Sequence, residues 1–391
     1  MKILPKIEAI HGEMTEWRHH IHMHPETAFE EFQTADFVAE KLESFGLEVH
    51  RGLAKTGVVG TLKAGTGNRA IGLRADMDAL DLQELNEFSH RSKYDGKMHG
   101  CGHDGHTVML LGAAKYLSET KDFDGTVHFI FQPAEENVAG GRVMIADGLF
   151  EKFPVESVYG MHNMPGFNVG EFAVRKGPIM ASADFFEAKI TGVGGHGAFP
   201  HLTVDPIVIA AEVIGAWQKI VSRNVDPLKA AVVTVGEIHG GHTTNVIPEE
   251  VVMRGTTRAF DPDVQDMIEA NMERILKGIC DAYGAKAEFT YDRRYAPTIN
   301  TPDETDIAIE VMQELVGEDK VNTDVTPVMG AEDFSWMLKE RPGCYLMIAN
   351  GAGEGSCHVH NPNYDFNDQI LPLGASYWCR LTERILGNEA A

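Results

Sequence analysis

The sequence predicts an α/β protein in which helices cover a largely parallel β-sheet and a smaller α+β domain is inserted into the chain. Strand-like and helix-like patterns alternate before residue 180 and again after residue 300, which is typical of an open α/β sheet. Between them, residues 183–293 follow the β-α-β-β-α-β order of a ferredoxin-like unit. The chain has 391 residues, too many for one ordinary core. We therefore expect one domain from residues 1–182 and 294–391 and a second from residues 183–293.

The larger domain begins with helices in residues 5–46, which Pro25 separates and Gly46 ends. Short apolar runs predict its strands, which we place at residues 58–62, 70–74, 125–132, 157–162 and 344–349. Helical spacing of apolar residues predicts helices after residue 107 and at residues 303–315 and 331–339. Polar segments follow the strand-like runs, and open α/β sheets bind ligands beyond the carboxyl ends of their strands. One site could therefore collect these polar side chains.

The inserted domain is predicted as an antiparallel sheet with both helices on one face. Its strand-like elements lie at residues 183–191, 230–238, 244–259 and 286–291. Its helices are expected at residues 205–221 and 261–283, the second with an acidic start.

Composition narrows the possible functions. The formal net charge of −24 repels phosphate backbones and anionic lipid surfaces, so no nucleic-acid or membrane partner is expected. No stretch reaches the length of a membrane span. The five cysteines form an odd set without tight spacing, which favours reduced thiols and a cytoplasmic location.

The sequence MHGCGHDGHT at residues 98–107 places several metal-capable side chains between glycines, directly before a helical run. Cys101 and His103 flank Gly102, so an extended backbone would direct both side chains to one face, at chelating distance. The alternative is a glycine-rich turn with a buried cysteine and solvated histidines. The cluster is expected in a strand-to-helix turn.

Five candidate ligands lie at or just beyond the ends of predicted strands: Cys101, His103, Glu136, His162 and His360. Two metal ions need about six donors, and a thiolate that bridges both ions supplies the remaining one. Sulfur, nitrogen and oxygen donors together favour two divalent transition-metal ions such as zinc, manganese, nickel or cobalt. Such paired ions activate water for hydrolysis.

A hydrolytic site also needs a base, and the adjacent pair Glu135 and Glu136 follows a predicted strand and Pro133. We assign Glu136 to a metal and Glu135 to proton transfer from the attacking water to the leaving nitrogen. The alternative is a solvated acidic turn.

Another histidine tract, at His19, His20, His22 and His24, lacks neighbouring thiols and stands before Pro25. We interpret it as surface polar or hydrogen-bonding residues, not as a metal site.

These residues carry a resemblance to a known family. Its motifs extend in order over nearly the whole chain: RADMDAL (74–80), MHGCGHDGHT (98–107), FQPAEE (131–136), GMH (160–162), GGHGA (194–198), TNVIP (244–248) and HVH (358–360). The sequence resembles the dinuclear aminoacylase and hippurate hydrolase branch of the aminoacylase and carboxypeptidase G metallopeptidases.

The resemblance implies an N-acyl-amino-acid amidohydrolase with a zinc-peptidase-like α/β/α catalytic domain. The inserted domain would be a lid that forms a homodimer, or a tetramer. It also implies that the five candidate ligands bind metal and that Glu135 is the base. Asp78 resembles an aspartate that orients a metal-binding histidine. His196 resembles a histidine that polarises the scissile carbonyl, often across the dimer, while Asn245 and Arg258 resemble residues that hold the substrate.

One position departs from the family pattern, since Phe199 stands where many relatives have a histidine. The edge of the predicted lid is therefore more apolar, which leaves the acyl preference open. Two other functions are also open. A dipeptidase or carboxypeptidase would use the same dinuclear chemistry, and a catalytically silent binding protein would keep only the fold.

Overall fold

The computed structural model describes residues 1–136, 138–352 and 357–387. The chain divides into two compact units, which are described separately. The first unit comprises Met1–Ile179, Ile299–Thr326 and Asp333–Ala391, and the second comprises Met180–Thr298 and Pro327–Glu332.

The α-helices are, in chain order, α1 (Pro5–Ala9), α2 (His11–Met23), α3 (Phe32–Ser44), α4 (His103–Thr120), α5 (Gly140–Ala146), α6 (Leu149–Lys152), α7 (Pro206–Arg223), α8 (Pro262–Tyr283), α9 (Pro302–Val316), α10 (Ser335–Glu340) and α11 (Leu371–Leu386). Short 3-10 helices lie at Pro200–Leu202, Glu318–Lys320 and Asp368–Ile370.

The β-strands are β1 (Glu48–Leu53), β2 (Gly57–Ala64), β3 (Ala70–Asp76), β4 (Gly125–Gln132), β5 (Ser157–Pro165), β6 (Phe172–Ala173), β7 (Gly177–Met180), β8 (Ala183–Thr191), β9 (Gly195–His196), β10 (Ala231–His239), β11 (Val246–Ile247), β12 (Glu250–Ala259), β13 (Lys286–Tyr295), β14 (Thr298–Asn300), β15 (Val321–Asn322) and β16 (Gly343–Gly351).

An eight-stranded sheet forms the centre of the first unit, in the order β1-β2-β4-β3-β5-β16-β6-β15. The four strands β4, β3, β5 and β16 run parallel to one another. Almost every residue of these strands is buried, because helices cover both faces of a parallel sheet. The predicted α/β class is confirmed, with one correction: β2 pairs antiparallel with β1 and β4, and β16 pairs antiparallel with β6.

Helix α4 lies in the core of this unit. All residues from His103 to Ala114 are buried, and the helix packs against α2, α11 and β3. Its first turn therefore holds its side chains against the parallel strands. The predicted helix at residues 331–339 is shorter than expected, because α10 begins only at Ser335.

The second unit contains an antiparallel sheet in the order β10-β12-β8-β13, which is the ferredoxin-like order. Helices α7 and α8 both begin with a proline, after Asp205 and Asp261, whose carboxylates accept backbone N–H groups as N-caps. Both helices bury apolar side chains against the sheet, among them Trp217 and Ile268. The segment predicted as one element at residues 244–259 consists of two strands, β11 and β12.

Within the described residues, every helix falls short of the length and apolar character that crossing a bilayer requires.

Candidate metal centre

The parallel strands direct their carboxyl ends to one edge of the sheet, and the predicted site residues of the first unit cluster beyond that edge. Asp78 follows β3, and Glu135 and Glu136 follow β4. His162 lies near the end of β5, and His360 lies in the segment after β16. Parallel neighbours bring these residues together despite their distance along the chain.

Two groups of potential metal donors share one thiol. The first contains Cys101, His103 and His162, and the second contains Cys101, Glu136 and His360. Within each group, the donor atoms all lie within 4.8 Å of one another. The structure thus brings together the five candidate ligands, and Cys101 belongs to both groups.

The donor atoms are placed as ligands of a cation would be. Among the described residues, His103 Nε2 and Glu136 Oε1 are buried and have no hydrogen-bond partner. His360 Nε2 lies 3.0 Å from Glu136 Oε1, at ion-pair distance when the ring is protonated, and Cys101 Sγ lies 3.3 Å from His162 Nε2. Unpaired buried polar atoms are costly, and a shared cation would satisfy them. The residues therefore fit two divalent metal ions.

Hydrogen bonds fix the orientation of two of the imidazole rings. His103 Nδ1 lies 2.9 Å from the Asp78 carbonyl and 3.2 Å from Asp78 Oδ1. His162 Nδ1 lies 2.6 Å from the carbonyl of Asn163. When either ring is neutral, Nδ1 donates its proton to these oxygens, and the Nε2 lone pair is then available for a metal.

Asp78 supports the second donor group as well. Its Oδ2 accepts the backbone N–H of Glu136 at 2.9 Å. This single buried aspartate therefore holds both an imidazole from α4 and the turn that carries the glutamate pair.

Burial and charge set the protonation of the donors. Burial lowers the pKa of His162 well below its ordinary value, so the ring is neutral at physiological pH. Burial raises the pKa of the Cys101 thiol, and the Glu136 carboxylate adds to this effect. Burial also lowers the pKa of His103, but the charge of Asp76, the neighbouring Cys101 and the hydrogen bond with Asp78 together outweigh it and raise this pKa well above 6.5. Since thiolate and neutral imidazole are the ligand forms, metal uptake would release protons.

The turn before α4 differs from the sequence-based expectation. The cluster lies in the expected turn before a helix, but the extended backbone considered for residues 101–103 is not observed, because Gly102 has a left-handed φ of 91° and His103 already begins the helix. A Cβ at Gly102 would lie 2.2 Å from Asn163 Nδ2, so a larger residue does not fit. The tight turn, not an extended strand, brings the Cys101 and His103 side chains together.

His106, a further metal-capable residue of this segment, is already satisfied by protein partners. Its Nδ1 lies 2.6 Å from Asp76 Oδ1, and its Nε2 accepts the backbone N–H of Asn163 at 2.9 Å. The ring thus supports the strand that carries His162. Arg74, also buried, donates to the other oxygen of Asp76 at 2.6 Å.

Glu135 lies in the same region as the donors. It is only 7% exposed. One of its carboxylate oxygens and the donor atoms of His103 and Glu136 all lie within 4.8 Å of one another. Its Oε1 also accepts the backbone N–H of Asp333 at 3.4 Å. A carboxylate held next to two candidate metal ligands can accept a proton from a water molecule bound between them.

The remaining predicted residues, His196, Asn245 and Arg258, lie in the second unit. His196 is exposed on β9 and pairs with Val246, the residue after Asn245. The Asn245 carbonyl accepts the N–H of Gly197, so these two residues are neighbours. Arg258 on β12 is half-buried and donates to the Thr257 carbonyl at 2.9 Å.

Sequence reasoning missed a buried ionic network behind the site. Arg18 is fully buried, and its guanidinium lies 2.7 Å from both Asp365 and Asp368 and 3.4 Å from Asp104. His22, in the tract interpreted as surface or hydrogen-bonding, is also fully buried. These contacts join α2 to the residue after His103 and to the segment after His360.

Residues 72–384 match the sequence model of peptidase family M20/M25/M40. The chain belongs to this family. The predicted metallopeptidase relationship is thereby confirmed, and the protein is a hydrolase.

This chain is similar to known proteins over nearly its full length. It is 42% identical to a hippurate hydrolase of Campylobacter jejuni, over 99% of this chain and 100% of that protein. It is 38% identical to thermostable carboxypeptidase 2 of Saccharolobus solfataricus, over 96% of this chain and 97% of that protein. The crystal structure of a dinuclear metal-binding M20 peptidase from Bacillus subtilis has a TM-score of 0.84 and 32% identity, over 97% of this chain and 99% of that one.

Proposed function

We propose that this M20-family protein is a dinuclear amidohydrolase that cleaves N-acyl-L-amino acids into a carboxylic acid and a free amino acid. The observation that carries this proposal is the presence of Cys101 in both donor groups, next to the buried carboxylate of Glu135. Similarity to a hippurate hydrolase supports the substrate class, because hippurate is N-benzoylglycine.

In this proposal, two divalent ions would be held by five side chains of the first unit: Cys101, His103, Glu136, His162 and His360. The mixture of sulfur, nitrogen and oxygen donors suits zinc, manganese, nickel or cobalt. When bound, such ions lower the pKa of a coordinated water and polarise the scissile carbonyl.

Glu135 is the proposed general base. Its carboxylate takes a proton from the attacking water and delivers it to the nitrogen of the leaving amino acid, so the proton count balances over one turnover. Burial in a polar pocket keeps this carboxylate close to the donors of both ions, where the water would bind. Asp78 holds the ring of His103 and the backbone of Glu136 in place.

The second unit supplies the proposed substrate contacts. His196 donates a hydrogen bond to the oxygen that becomes negatively charged during attack. Asn245 and Arg258 bind the free carboxylate of the amino acid, for which a guanidinium is well suited. Phe199, which is 51% exposed beside His196, gives this part of the unit an apolar character that would favour apolar acyl groups.

We assign residues 1–182 and 294–391 to the catalytic domain and residues 183–293 to a lid and dimerisation domain. The second unit exposes large apolar side chains in one stretch of sequence, with Leu202 at 71% and Val208 at 56% exposure. Surfaces of this kind often mark contacts between subunits. They support a homodimer through this domain, or a tetramer built from it. The cysteine pattern of the sequence supports a cytoplasmic location.

A second candidate function is that of a carboxypeptidase or dipeptidase. The similarity to thermostable carboxypeptidase 2 favours it. Both activities cleave an amide whose nitrogen belongs to an amino acid with a free carboxylate. They differ in the group on the acyl side, which is a simple acid in one case and an amino acid with a charged amine in the other.

The proposal is tested with metal-depleted protein reconstituted separately with Zn²⁺, Mn²⁺, Co²⁺ and Ni²⁺. Steady-state rates are measured with N-benzoylglycine, N-acetylmethionine and the matched dipeptides Phe-Gly and Ala-Met. We expect the N-acyl amino acids to have the higher kcat/KM, and N-benzoylglycinamide, which lacks the carboxylate, to be a poor substrate. Higher kcat/KM for the dipeptides would favour the second function. No hydrolysis by protein that contains two equivalents of metal would overturn both.

A further inference from the structure

Glu31 is a buried carboxylate that none of the proposed chemical steps uses. It flanks the N-terminus of α3, but its side chain makes no capping bond to that helix. Instead, Oε1 accepts the backbone N–H of Phe29 at 3.0 Å and that of Ala134 at 2.9 Å. Oε2 accepts the hydroxyl of Thr56 at 2.6 Å. One side chain thus joins three segments that are distant in sequence.

Both backbone N–H groups belong to residues in an unusual conformation. Phe29 has a φ of 60° and Ala134 a φ of 55°, in the left-handed region that side chains with a Cβ disfavour. The same turn is closed by a second bond, because the Ala134 carbonyl accepts the N–H of Gly140 at 2.8 Å. Such a conformation persists only where surrounding contacts enforce it.

Ala134 directly precedes the glutamate pair. At the second residue of that pair, Asp78 Oδ2 accepts the N–H of Glu136 at 2.9 Å. The backbone of residues 134–136 is therefore held at both ends by a buried carboxylate, with Glu135 between them. We infer that Glu31 is a positioning residue for Glu135, acting through the backbone of Ala134; this inference rests on the proposed role of Glu135.

The surroundings of Glu31 are consistent with a role beyond filling space. It is 0% exposed, and a buried carboxyl is unfavourable unless hydrogen bonds satisfy it. Burial raises its pKa to about 7, and the nearby charge of Asp78 contributes in the same direction. An apolar side chain would avoid this cost, but it could not accept the two N–H groups.

Three substitutions distinguish the effect of the Glu31 hydrogen bonds from the effects of its side-chain volume and its charge. Glu31→Leu has similar volume but no acceptor. Glu31→Gln keeps one oxygen for both N–H groups and loses the charge. Thr56→Val removes only the donor to Oε2. Glu30→Gln, at the exposed neighbouring position, is the matched control.

With N-benzoylglycine as substrate, we expect Glu31→Leu to lower kcat about 10- to 100-fold, a part of the effect of losing a general base. KM and the metal content should stay near wild type. Glu31→Gln and Thr56→Val should lose less than about threefold, since both retain the oxygen that accepts the two N–H groups. An equal loss in Glu31→Gln and Glu31→Leu would overturn the inference, because charge would then be the cause.

A rescue experiment tests the proposed route through Ala134. Glycine adopts positive φ readily, so Ala134→Gly should hold the turn without the carboxylate. We expect Glu31→Leu to lower kcat much less in the Ala134→Gly background than in wild type. The same fractional loss in both backgrounds would contradict a positioning role through this residue.

Hydrogen exchange of the peptide that contains Ala134 gives a readout independent of catalysis. Exchange should be faster in Glu31→Leu and unchanged in Glu31→Gln and Glu30→Gln. If Glu31→Leu does not fold, Glu31→Gln and Thr56→Val still test the prediction in the intact enzyme. Unchanged exchange in Glu31→Leu would overturn the inference. Full activity of Glu135→Gln would instead overturn the proposed function, and the exchange result would still report on the turn.

Discussion

Asp78 contacts His103 through two oxygens: its carbonyl and its Oδ1 lie 2.9 and 3.2 Å from the ring Nδ1. Its other carboxylate oxygen accepts the N–H of Glu136. Asp78→Asn replaces one of the two carboxylate oxygens with an NH₂ group. In either orientation of the amide, the side chain must then lose its bond to His103 Nδ1 or its bond to the Glu136 N–H. We expect metal affinity to fall about 10- to 100-fold. Competition with a metal chelator measures this change, with exposed Asp81→Asn as the control. Wild-type affinity in Asp78→Asn would exclude an orienting role.

Glu135→Gln should separate catalysis from metal binding. The amide cannot accept a proton at neutral pH, so turnover should fall by roughly two to four orders of magnitude. Metal content by elemental analysis should remain near wild type, whereas Glu136→Gln should bind less metal because it loses an anionic donor. If Glu135→Gln hydrolyses acyl amino acids at the wild-type rate, the base lies elsewhere.

Cys101→Ser should weaken metal retention more than folding, because a neutral alcohol is a poor substitute for a thiolate shared by two donor groups. In the wild-type protein, bound metal should protect Cys101 from alkylation. Peptide mapping of apo and reconstituted protein measures this protection, with partly exposed Cys357 as the internal reference. Equal alkylation of Cys101 in the two forms would place it outside the metal site.

His22 should contribute stability that depends on pH. Burial lowers its pKa, but hydrogen bonds with Asp104 and Glu84 reverse this effect and raise it to about 9. The protonated ring therefore stabilises the fold fully below about pH 6.5, and this contribution is lost as the pH rises to about 9. This contribution to the free energy of unfolding is on the order of 3 kcal/mol, because each unit of pKa difference between the folded and unfolded states corresponds to about 1.36 kcal/mol.

The comparison of wild type with His22→Gln tests this directly. The difference in apparent melting temperature of the metal-free proteins should be largest near pH 6 and should shrink toward pH 9. His24→Gln, at a ring bonded to the His20 carbonyl on the surface, is the control and should show no such trend. A difference that is constant with pH would mean that His22 is not charged in the fold.

The sequence was sufficient to predict that the five candidate ligands lie together, because the relevant signals are local. Cys101 and His103 stand in one glycine-rich run, and Glu136 and His162 each lie at the end of an apolar strand. A parallel sheet converts such strand ends into spatial neighbours without any knowledge of long-range contacts. The alternation of strands and helices therefore indicated both the fold class and the place of the site.

The supporting contacts could not be predicted in the same way. Arg18 meets Asp368 across 350 residues, and Glu31 meets Ala134 across 103 residues. The sequence around these residues contains no pattern that predicts either contact. From its neighbours alone, Glu31 is an ordinary acidic residue at the start of a helix. The tract at residues 19–24 predicts surface or hydrogen-bonding histidines, but it does not reveal that His22 is the ring that is buried and hydrogen-bonded. The antiparallel outer strands are likewise set by pairing between distant segments.

His196 provides the last prediction, which concerns the second unit. Its Nδ1 accepts the N–H of Ala198 at 3.0 Å, so the neutral ring carries its proton on Nε2 and can donate it to an oxyanion. Loss of one such donor costs about 2.7 to 4 kcal/mol, so His196→Ala should lower kcat about 100- to 1,000-fold. Metal content should not change, and exposed His239→Ala should behave as wild type.

Mixing subunits then shows which chain supplies this histidine. If His196 acts on the site of a partner subunit, His196→Ala chains mixed with Glu135→Gln chains should form heterodimers with one complete site. Random exchange of equal amounts would restore about one quarter of wild-type activity, since half of the dimers are mixed and each has one working site. Exchange is measured by native mass spectrometry of differently tagged chains. Demonstrated exchange without recovered activity would mean that each site is completed by His196 of its own chain.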